Sequence, residues 1–288
     1  DFFSLYSHDF VRVACCVPRT RVADAGYNLA ETLRLAARGD KSRAAIMVFP
    51  ELGLSSYAIE DLLLQDSLLD EVERSIAKVV EASRKLFPVL IVGAPLRLTG
   101  RLYNTAIVIH RGAILGVVPK TYLPNYREFY EKRHFVSGIN VIDREIALAG
   151  QTVPFGTDLL FRSTGSVPMT FHVEICEDIW MPIPPSSHAA LAGAELLLNL
   201  SASNITIGKA ETRRLLCRSQ SARCVAAYLY AAAGTGETLE GNPDGKKPVV
   251  GGNTFVVVEA DGDDEVHADG KAAAKAVAAA VISTGNSA

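Results

Sequence analysis

The feature that most constrains the fold of this chain is a series of apolar runs of strand length that stop abruptly and alternate with helical patterns. Ala44–Phe49 is uninterruptedly apolar and ends at Pro50, which has no amide hydrogen to donate to a neighbouring strand. Asp24–Ala37 follows a helical spacing, and Asp24 is a candidate N-cap. Alternation of buried strands with helices predicts a layered α/β domain with a mixed sheet.

The same reading places further elements along the chain. Arg111-Gly112 is a two-residue hairpin signal between two apolar runs. A helical region over about Ile59–Leu86 is predicted to break near Asp66-Ser67. A further helix is predicted over Ala210–Cys224. The other predicted strands are Phe10–Cys16, Pro88–Ala94, Leu102–His110, Ala113–Pro119, Val167–Ile175, Ala194–Leu200 and Val225–Ala233.

The composition changes after about residue 240. Residues 1–240 are predicted to form one domain, and 241–288 a divergent tail that either completes this domain or leads to another one. Within the tail, the alanine-rich stretch Lys271–Val281 has a high helix propensity.

Charge and cysteine content narrow the function classes. The formal net charge is −3 at 288 residues, so no chain-wide basic field attracts nucleic acid. The basic clusters Glu131-Lys132-Arg133-His134 and Arg213-Arg214 are interpreted as solvated helix faces. No apolar run reaches the roughly 18 residues of a membrane span, and Asp1–Phe10 lacks the pattern of a signal peptide. Five cysteines without a CxxC motif favour reduced thiols and a cytoplasmic location.

Three reactive side chains follow the ends of three apolar strands. These are Glu51, Lys120 and Cys176. Each has an ordinary alternative, namely a carboxylate at a helix start, a solvated lysine and a small core residue. Strand ends in α/β sheets converge on a crevice, which favours a shared site. Since Glu177-Asp178 would raise the pKa of the Cys176 thiol, a reactive cysteine here needs a cation and a base, and Lys120 and Glu51 are the candidates.

The segments around these three residues resemble motifs of the carbon–nitrogen hydrolase superfamily. They are Phe49-Pro50-Glu51-Leu52, Pro119–Pro124 and Glu174–Asp178. The likeness is closest to the glutaminase domains of bacterial glutamine-dependent NAD synthetases of the actinobacterial type, and it runs from about Ser4 to Gly236. It is carried by Tyr57–Asp61, Leu63–Leu69, Asn125–Glu131 and Asn199–Gly208. The resemblance implies a nitrilase-like αββα sandwich, in which two mixed sheets are covered by helices.

The resemblance also implies a role for each site residue. Cys176 would attack the side-chain amide of glutamine, Glu51 would act as general base and acid, and Lys120 would stabilise the oxyanion. Glu131 matches a second glutamate that orients the lysine, although the residues alone indicate a surface acid in a charge cluster. The implied substrate-binding residues are Tyr126, Ser203 and Lys209 at the backbone end of glutamine, Glu177 at its α-amino group, and Tyr57 in the pocket wall. From the sequence alone, each of these five could equally serve packing or the surface.

The motifs that the chain lacks and the family resemblance together give expectations for its cofactors and partners. It has no Ser-Gly-Gly-x-Asp-Ser or GxxxxGK[ST] phosphate loop and no metal-ligand spacing. The resemblance then implies that the glutaminase step uses no cofactor, and that ATP, Mg²⁺ and deamido-NAD are used only by a synthetase domain outside this chain. The implied partners are L-glutamine, that synthetase domain on the same polypeptide and further copies in a homo-oligomer. Two alternatives stay open: a free-standing amidase or nitrilase for another small amide, and a non-enzymatic scaffold with a vestigial triad.

Overall fold

The computed structural model describes residues 2–141, 144–165, 167–204 and 206–233, and the backbone of two strands at 255–257 and 277–283. Its helices are α1 (Ala25–Lys41), α2 (Asp66–Ser83), α3 (Pro185–Leu191) and α4 (Lys209–Cys224). Its strands are β1 (Val11–Val17), β2 (Ile46–Val48), β3 (Val89–Leu98), β4 (Arg101–His110), β5 (Ala113–Pro119), β6 (Glu145–Leu148), β7 (Gln151–Pro154), β8 (Leu160–Ser163), β9 (Met169–Ile175), β10 (Leu196–Ser201), β11 (Ala227–Ala232), β12 (Phe255–Val257) and β13 (Val277–Ser283). Among the described helices, none is long and apolar enough to cross a bilayer.

The strands form two large mixed sheets and one small hairpin. The first sheet has the order β13-β1-β2-β3-β4-β5, parallel from β13 to β3 and antiparallel from β3 to β5. The second has the order β12-β11-β10-β9-β8, in which β9, β10 and β11 are parallel and both outer strands are antiparallel. β6 and β7 form the hairpin. The predicted mixed α/β architecture is confirmed.

Alternate residues of β1 show how the layers are stacked. Val13 and Cys15 lie between the two sheets, in a core shared with Val173 and Leu198 of the second sheet. Their neighbours in β1, including Cys16, face the opposite way into a core formed with α1 and α2. A third apolar cluster joins β10 and β11 to α3 and α4. The order is therefore helices, sheet, sheet, helices, which confirms the αββα sandwich. Strands buried on both faces read as continuous apolar runs.

Several local predictions are confirmed in detail. The Asp24 carboxylate accepts a hydrogen bond of 2.9 Å from the amide of Tyr27 and caps α1. Arg111 and Gly112, at φ of 48° and 84°, are both left-handed, as the predicted hairpin turn between β4 and β5 requires. The helical region 59–86 is interrupted at Gln65, between a short 3₁₀ turn (Glu60–Leu64) and α2. The sequence reading missed α3, β6, β7 and β8, which are too short to show a clear period.

Segments beyond residue 240 pair with both sheets. β12 runs antiparallel to β11, and β13 runs parallel to β1 over seven residue pairs. The high helix propensity of Lys271–Val281 therefore predicts the wrong structure for Val277–Val281, which belong to β13. Pairing with β1 satisfies the backbone groups on the side of β13 that faces it and overrides a weak local preference. The predicted tail comprises residues 241–288, and apart from these two strands it lies outside the described residues. The domain boundary near residue 240 stays a prediction.

Gly93 in β3 supports the segment that follows β2. Its carbonyl accepts the amide of Leu54 at 3.2 Å. A Cβ atom at this position would lie 2.4 Å from the nitrogen of Leu52 and 2.5 Å from the carbonyl oxygen of Pro50. Because these contacts are to backbone atoms, the segment could not yield without moving Glu51.

We expect the substitution Gly93→Ala to destabilise the fold by about 2 kcal/mol, because overpacking of a buried site costs energy of this order. The midpoint of urea unfolding measures the effect. Gly26→Ala is the matched control: Gly26 lies in α1, the contacts of its added Cβ begin at 3.6 Å, and alanine is the better helix former. The control should therefore be neutral or stabilising by up to about 1 kcal/mol. Equal midpoints for Gly93→Ala and the unmodified protein would contradict this view of the segment.

Candidate active site

Glu51 is buried just beyond the end of β2. The chain turns here, and Leu52 adopts a left-handed φ of 49°. The Oε1 atom of Glu51 accepts hydrogen bonds from Lys120 Nζ at 2.6 Å and from Asn104 Nδ2 at 2.7 Å. Its Oε2 atom accepts the backbone amide of Ala202, in the opposite sheet, at 2.9 Å. Groups from both sheets therefore fix the position of this carboxylate.

Lys120, directly after β5, places its ammonium between two carboxylates. Its Nζ atom lies 2.6 Å from Oε1 of Glu51 and 2.6 Å from Oε1 of Glu131, and the exposed fractions of the three side chains are 0%, 0% and 4%. Burial would lower the pKa of Lys120, but the charges of Glu131 and Glu51 raise it well above its usual value. Lys120 is therefore a cation, and the cluster of these three residues, the buried ion cluster, has one positive charge facing two carboxyl groups.

Glu131 begins a three-residue 3₁₀ turn (Glu131–Arg133) and points inward. The hydroxyl of Tyr57 donates to its Oε1 atom at 2.7 Å. Burial, together with the charge of Glu51, raises the pKa of Glu131 to about 7, although Lys120 acts in the opposite direction. The interpretation of Glu131 as a surface acid is wrong, because a turn this short has no continuous helical face. Arg133 in the same turn is solvent-exposed and pairs with Asp61, as the interpretation of a solvated cluster predicted.

Cys176 lies in a tight turn at the end of β9. Its φ of 44° is left-handed, an uncommon and strained conformation for a residue with a side chain. Asp178 holds this turn: its carboxylate accepts the amide of Ile175 at 2.9 Å and the amide of Tyr122 at 2.8 Å. The Asp178 carboxylate therefore ties the turn to the segment that carries Lys120.

Polar side chains of the second sheet form hydrogen bonds with Cys176, one to its sulfur and one to its backbone amide. The Ser201 hydroxyl donates to Sγ at 3.3 Å and shares a hydrogen bond of 2.5 Å with the hydroxyl of Tyr230. The amide of Cys176 donates to Asn199 Oδ1 at 3.1 Å. Sequence reasoning missed these partners. The available signal was Asn199 and Ser201, two polar residues spaced two apart in an otherwise apolar strand.

The thiol shares its electrostatic environment with the buried ion cluster. Burial raises the pKa of Cys176, the charge of Glu51 raises it further, and the charge of Lys120 lowers it. The thiol is therefore protonated in the resting protein. The thiol therefore lies within the electrostatic influence of both a carboxylate, Glu51, and a cation, Lys120.

The predicted substrate-binding residues form two groups around this centre. In one, the hydroxyl of Tyr126 donates to both carboxylate oxygens of Glu177, at 2.9 and 3.0 Å. In the other, the ammonium of Lys209 lies over the rings of Phe129 and Trp180 at 5.3 and 5.4 Å. Lys209 also donates a hydrogen bond to the side chain of Asn204.

The two sets of residues influence each other electrostatically, since the charge of Glu177 in the first set acts on the pKa of Lys209 in the second. Burial lowers the pKa of Lys209 and the charge of Arg213 lowers it further, while the charges of Glu128 and Glu177 raise it. Ser203 is buried near Lys209, and its hydroxyl accepts a hydrogen bond of 3.3 Å from Arg213. Arg213 had been interpreted as part of a solvated face together with Arg214. That interpretation is wrong for Arg213, which is only 2% exposed, and holds for Arg214, which pairs with Glu211 on the surface.

Comparison with known proteins gives the class of the protein. The carbon–nitrogen hydrolase family profile matches residues 12–267. The chain therefore belongs to the carbon–nitrogen hydrolase family.

The similar proteins are more specific. The chain is 58% identical over 241 residues to the glutamine-dependent NAD(+) synthetase of Mycobacterium tuberculosis H37Rv, which covers 83% of this chain and 35% of the relative. Identity to the Mycobacterium leprae synthetase is 54% over the same length. The chain thus spans about a third of the length of these relatives.

The solved structures that resemble this chain include two further glutamine-dependent NAD(+) synthetases. The glutamine-dependent NAD(+) synthetase of Cytophaga hutchinsonii superposes with a TM-score of 0.68 at 25% identity, covering 77% of this chain and 36% of that one. The enzyme of Acinetobacter baumannii, in complex with ADP, gives 0.67 at 26%, covering 85% and 40%. An amidase of the nitrilase superfamily from Nesterenkonia AN1 gives 0.64 at 19%, covering 85% and 81%, and shares the fold.

We expect Lys120→Met to destabilise the protein by about 3–5 kcal/mol at pH 8, because it leaves two buried carboxyl groups without their cation. The loss should be smaller in a Glu131→Gln background, which removes one of these groups. It should also shrink toward pH 5.5: without the cation that lowers it, the pKa of the buried Glu131 carboxyl rises further, so the folded form gains a proton there as the pH falls. Urea unfolding at both pH values measures these effects. A cost that does not change with pH, or with the second substitution, would contradict the coupling.

Proposed function

We propose that this chain is the glutaminase part of a glutamine-hydrolysing NAD synthetase, converting L-glutamine to L-glutamate and ammonia. The observation that carries the proposal is the buried ion cluster beside a strained cysteine, with Lys120 Nζ at 2.6 Å from both Glu51 and Glu131. A cysteine, a carboxylate and a fixed cation are the groups that acyl transfer from an amide requires. Membership of the carbon–nitrogen hydrolase family agrees with this chemistry.

The first half of the reaction forms a thioester. Cys176 Sγ bonds to the carbon of the side-chain amide while its proton passes to Glu51. The carbonyl oxygen becomes an oxyanion and is stabilised by the charge of Lys120. The carbon–nitrogen bond then breaks as Glu51 returns the proton to the nitrogen, and ammonia leaves. Glu131 does not touch the substrate in this scheme: it accepts a second hydrogen bond from the ammonium of Lys120 and holds it in place.

The second half releases glutamate. Glu51 takes a proton from a water molecule, and the resulting hydroxide bonds to the thioester carbon. The carbon–sulfur bond breaks, and the sulfur recovers the proton from Glu51. Because Asn104 and the amide of Ala202 hold the carboxylate in one orientation, the same oxygen atoms can serve both proton transfers.

Charges around the centre suit the backbone end of glutamine. The Glu177 carboxylate, oriented by Tyr126, would pair with the α-ammonium group. Lys209 and the Ser203 hydroxyl would bind the α-carboxylate. Lysine offers a point charge and lacks the planar fork of arginine, so the geometry at this carboxylate depends on the groups around it.

The proposed fate of the ammonia follows from the relatives. They are called glutamine-dependent NAD(+) synthetases and are about three times as long as the matched region. A synthetase domain of the same polypeptide would use the ammonia, with ATP and Mg²⁺, to amidate deamido-NAD. The glutaminase step itself would use no cofactor, and the full protein would assemble into a homo-oligomer in the cytoplasm.

We expect Cys176→Ala to reduce glutamine turnover by a factor of about 10⁴ or more, and Glu51→Gln to do so comparably, since both act in the same step. The glutamine analogue 6-diazo-5-oxo-L-norleucine should add one mass equivalent at Cys176, as peptide mass spectrometry would show. Cys224→Ala, which removes a half-buried thiol at the end of α4, is the control and should be modified like the unaltered protein. Ordinary turnover by Cys176→Ala would exclude the proposed mechanism.

A substrate pair tests the amino end of the pocket. Glutaramic acid is glutamine without the α-amino group. We expect the unaltered protein to prefer glutamine, and Glu177→Gln to lower kcat/KM for glutamine by about tenfold or more, since a hydrogen bond to a charged group is lost. Turnover of glutaramic acid should change little. If the unaltered protein instead prefers glutaramic acid or a nitrile, the alternative of a free-standing amidase or nitrilase is the better description.

A further inference from the structure

Arg213 is a buried cation that the proposed mechanism does not use. It lies on α4, four residues after Lys209, and is 2% exposed. Its Nη1 atom donates to the carbonyl oxygen of Asn204 at 2.9 Å and to Ser203 Oγ at 3.3 Å. Its Nε atom is buried and has no hydrogen-bond partner among the described residues. The guanidinium is therefore bound only by neutral groups, and only in part.

Within the described part of the chain, no carboxylate lies at ion-pair distance from Arg213. The buried Glu174 on neighbouring β9 is engaged otherwise, since it accepts hydrogen bonds from the hydroxyl of Tyr228 and from the amide of Ser186. Burying a guanidinium without a counter-ion is costly, because the charge loses its hydration and gains no opposite charge in return. This imbalance indicates an anion that is not a side chain of the described fold.

The contacts of Arg213 lead to the substrate pocket. Ser203 Oγ accepts a hydrogen bond from the guanidinium, which leaves the Ser203 hydroxyl hydrogen free to be donated elsewhere. The amide of Ser203 donates to Ser201 Oγ at 3.2 Å, and Ser201 in turn donates to Cys176 Sγ. A hydroxyl polarised by a cation is a stronger donor to a carboxylate than an isolated one. The short segment Ser203–Asn204 therefore connects Arg213 with the space beside the nucleophile.

We propose that Arg213 supplies the missing half of the carboxylate-binding charge: it neutralises the α-carboxylate of the substrate through the Ser203 hydroxyl, next to Lys209. Arg213 is then a positioning residue that sets specificity for α-amino-acid amides over amides without a carboxylate. The inference rests on the proposed glutaminase function. It gives a role to a buried arginine that has no acidic partner among the described residues, and it adds a second positive charge near Lys209.

The test compares L-glutamine with 4-aminobutanamide, which is glutamine without the α-carboxylate. Arg213→Gln keeps a hydrogen-bond donor but removes the charge, and it should lower kcat/KM for glutamine by about 30-fold, in the range for a lost charged hydrogen bond. Turnover of 4-aminobutanamide should change less than about threefold, since this substrate does not use the charge. Arg213→Lys keeps the charge and should retain most of the preference for glutamine. Arg214→Gln, one residue away on the surface, is the matched control and should leave both rates unchanged.

Each outcome decides the inference. If Arg213→Gln lowers both rates equally, or if Arg213→Lys loses the preference as fully as Arg213→Gln, the charge does not act on the carboxylate and the inference is wrong. Should Arg213→Gln fail to fold, Ser203→Ala removes the same connection with Arg213 still in place, and a retained preference for glutamine would overturn the inference. An unaltered protein without preference for glutamine over 4-aminobutanamide would refute the proposed function itself. A preference for glutamine that survives in Arg213→Gln would refute only the role of Arg213.

Discussion

The ammonium of Lys120, enclosed by the carboxylates of Glu51 and Glu131, is the interaction on which the rest of the site depends. Glu51, Lys120 and Glu131 come from three segments, the last two only eleven residues apart, and each brings a charge that would be costly to bury alone. Asn104, Tyr57 and the amide of Ala202 donate further hydrogen bonds to the two carboxyl groups, whereas the buried Oε2 atom of Glu131 has no hydrogen-bond partner among the described residues. Because both partners are almost fully buried, the cluster cannot relax into solvent when one of its members is removed.

The cluster also gives Cys176 its chemical character. Burial is enough to raise the pKa of a cysteine in this fold. It raises the pKa of Cys15 to about 12, and no charged side chain contributes to that shift. Cys176 is equally buried, but it is influenced by Glu51, Lys120 and the hydroxyl of Ser201. What sets it apart is a base that can take the proton and a cation that can receive the charge of an oxyanion. Its left-handed φ of 44° also ends the regular conformation of β9 at this residue.

The sequence was informative about this site wherever a reactive residue follows a long apolar strand. Glu51, Lys120 and Cys176 could be predicted together, because strand ends converge whatever the details of the loops. Glu131 and Arg213 could not be assigned from the residues, since a three-residue turn and a weakly amphipathic helix carry no signal for the inward direction. Only the family resemblance pointed to Glu131. Asn199 and Ser201 were hidden as polar residues in an apolar strand, and the pairing of β13 with β1 depends on a distant edge that no local pattern of 277–283 reports.

The division of the site between the two sheets links catalysis to the packing of the whole sandwich. Glu51 and Lys120 extend from strands of the first sheet, whereas Cys176 and Ser201 belong to the second. The bond between Glu51 and the amide of Ala202 crosses from one sheet to the other. The spacing of base and nucleophile is therefore set by the apolar core between the sheets, including Val13 and Leu198. Since such cores are close-packed, a change of volume there must shift one sheet against the other, and it would act on the geometry of proton transfer without touching any polar group of the site.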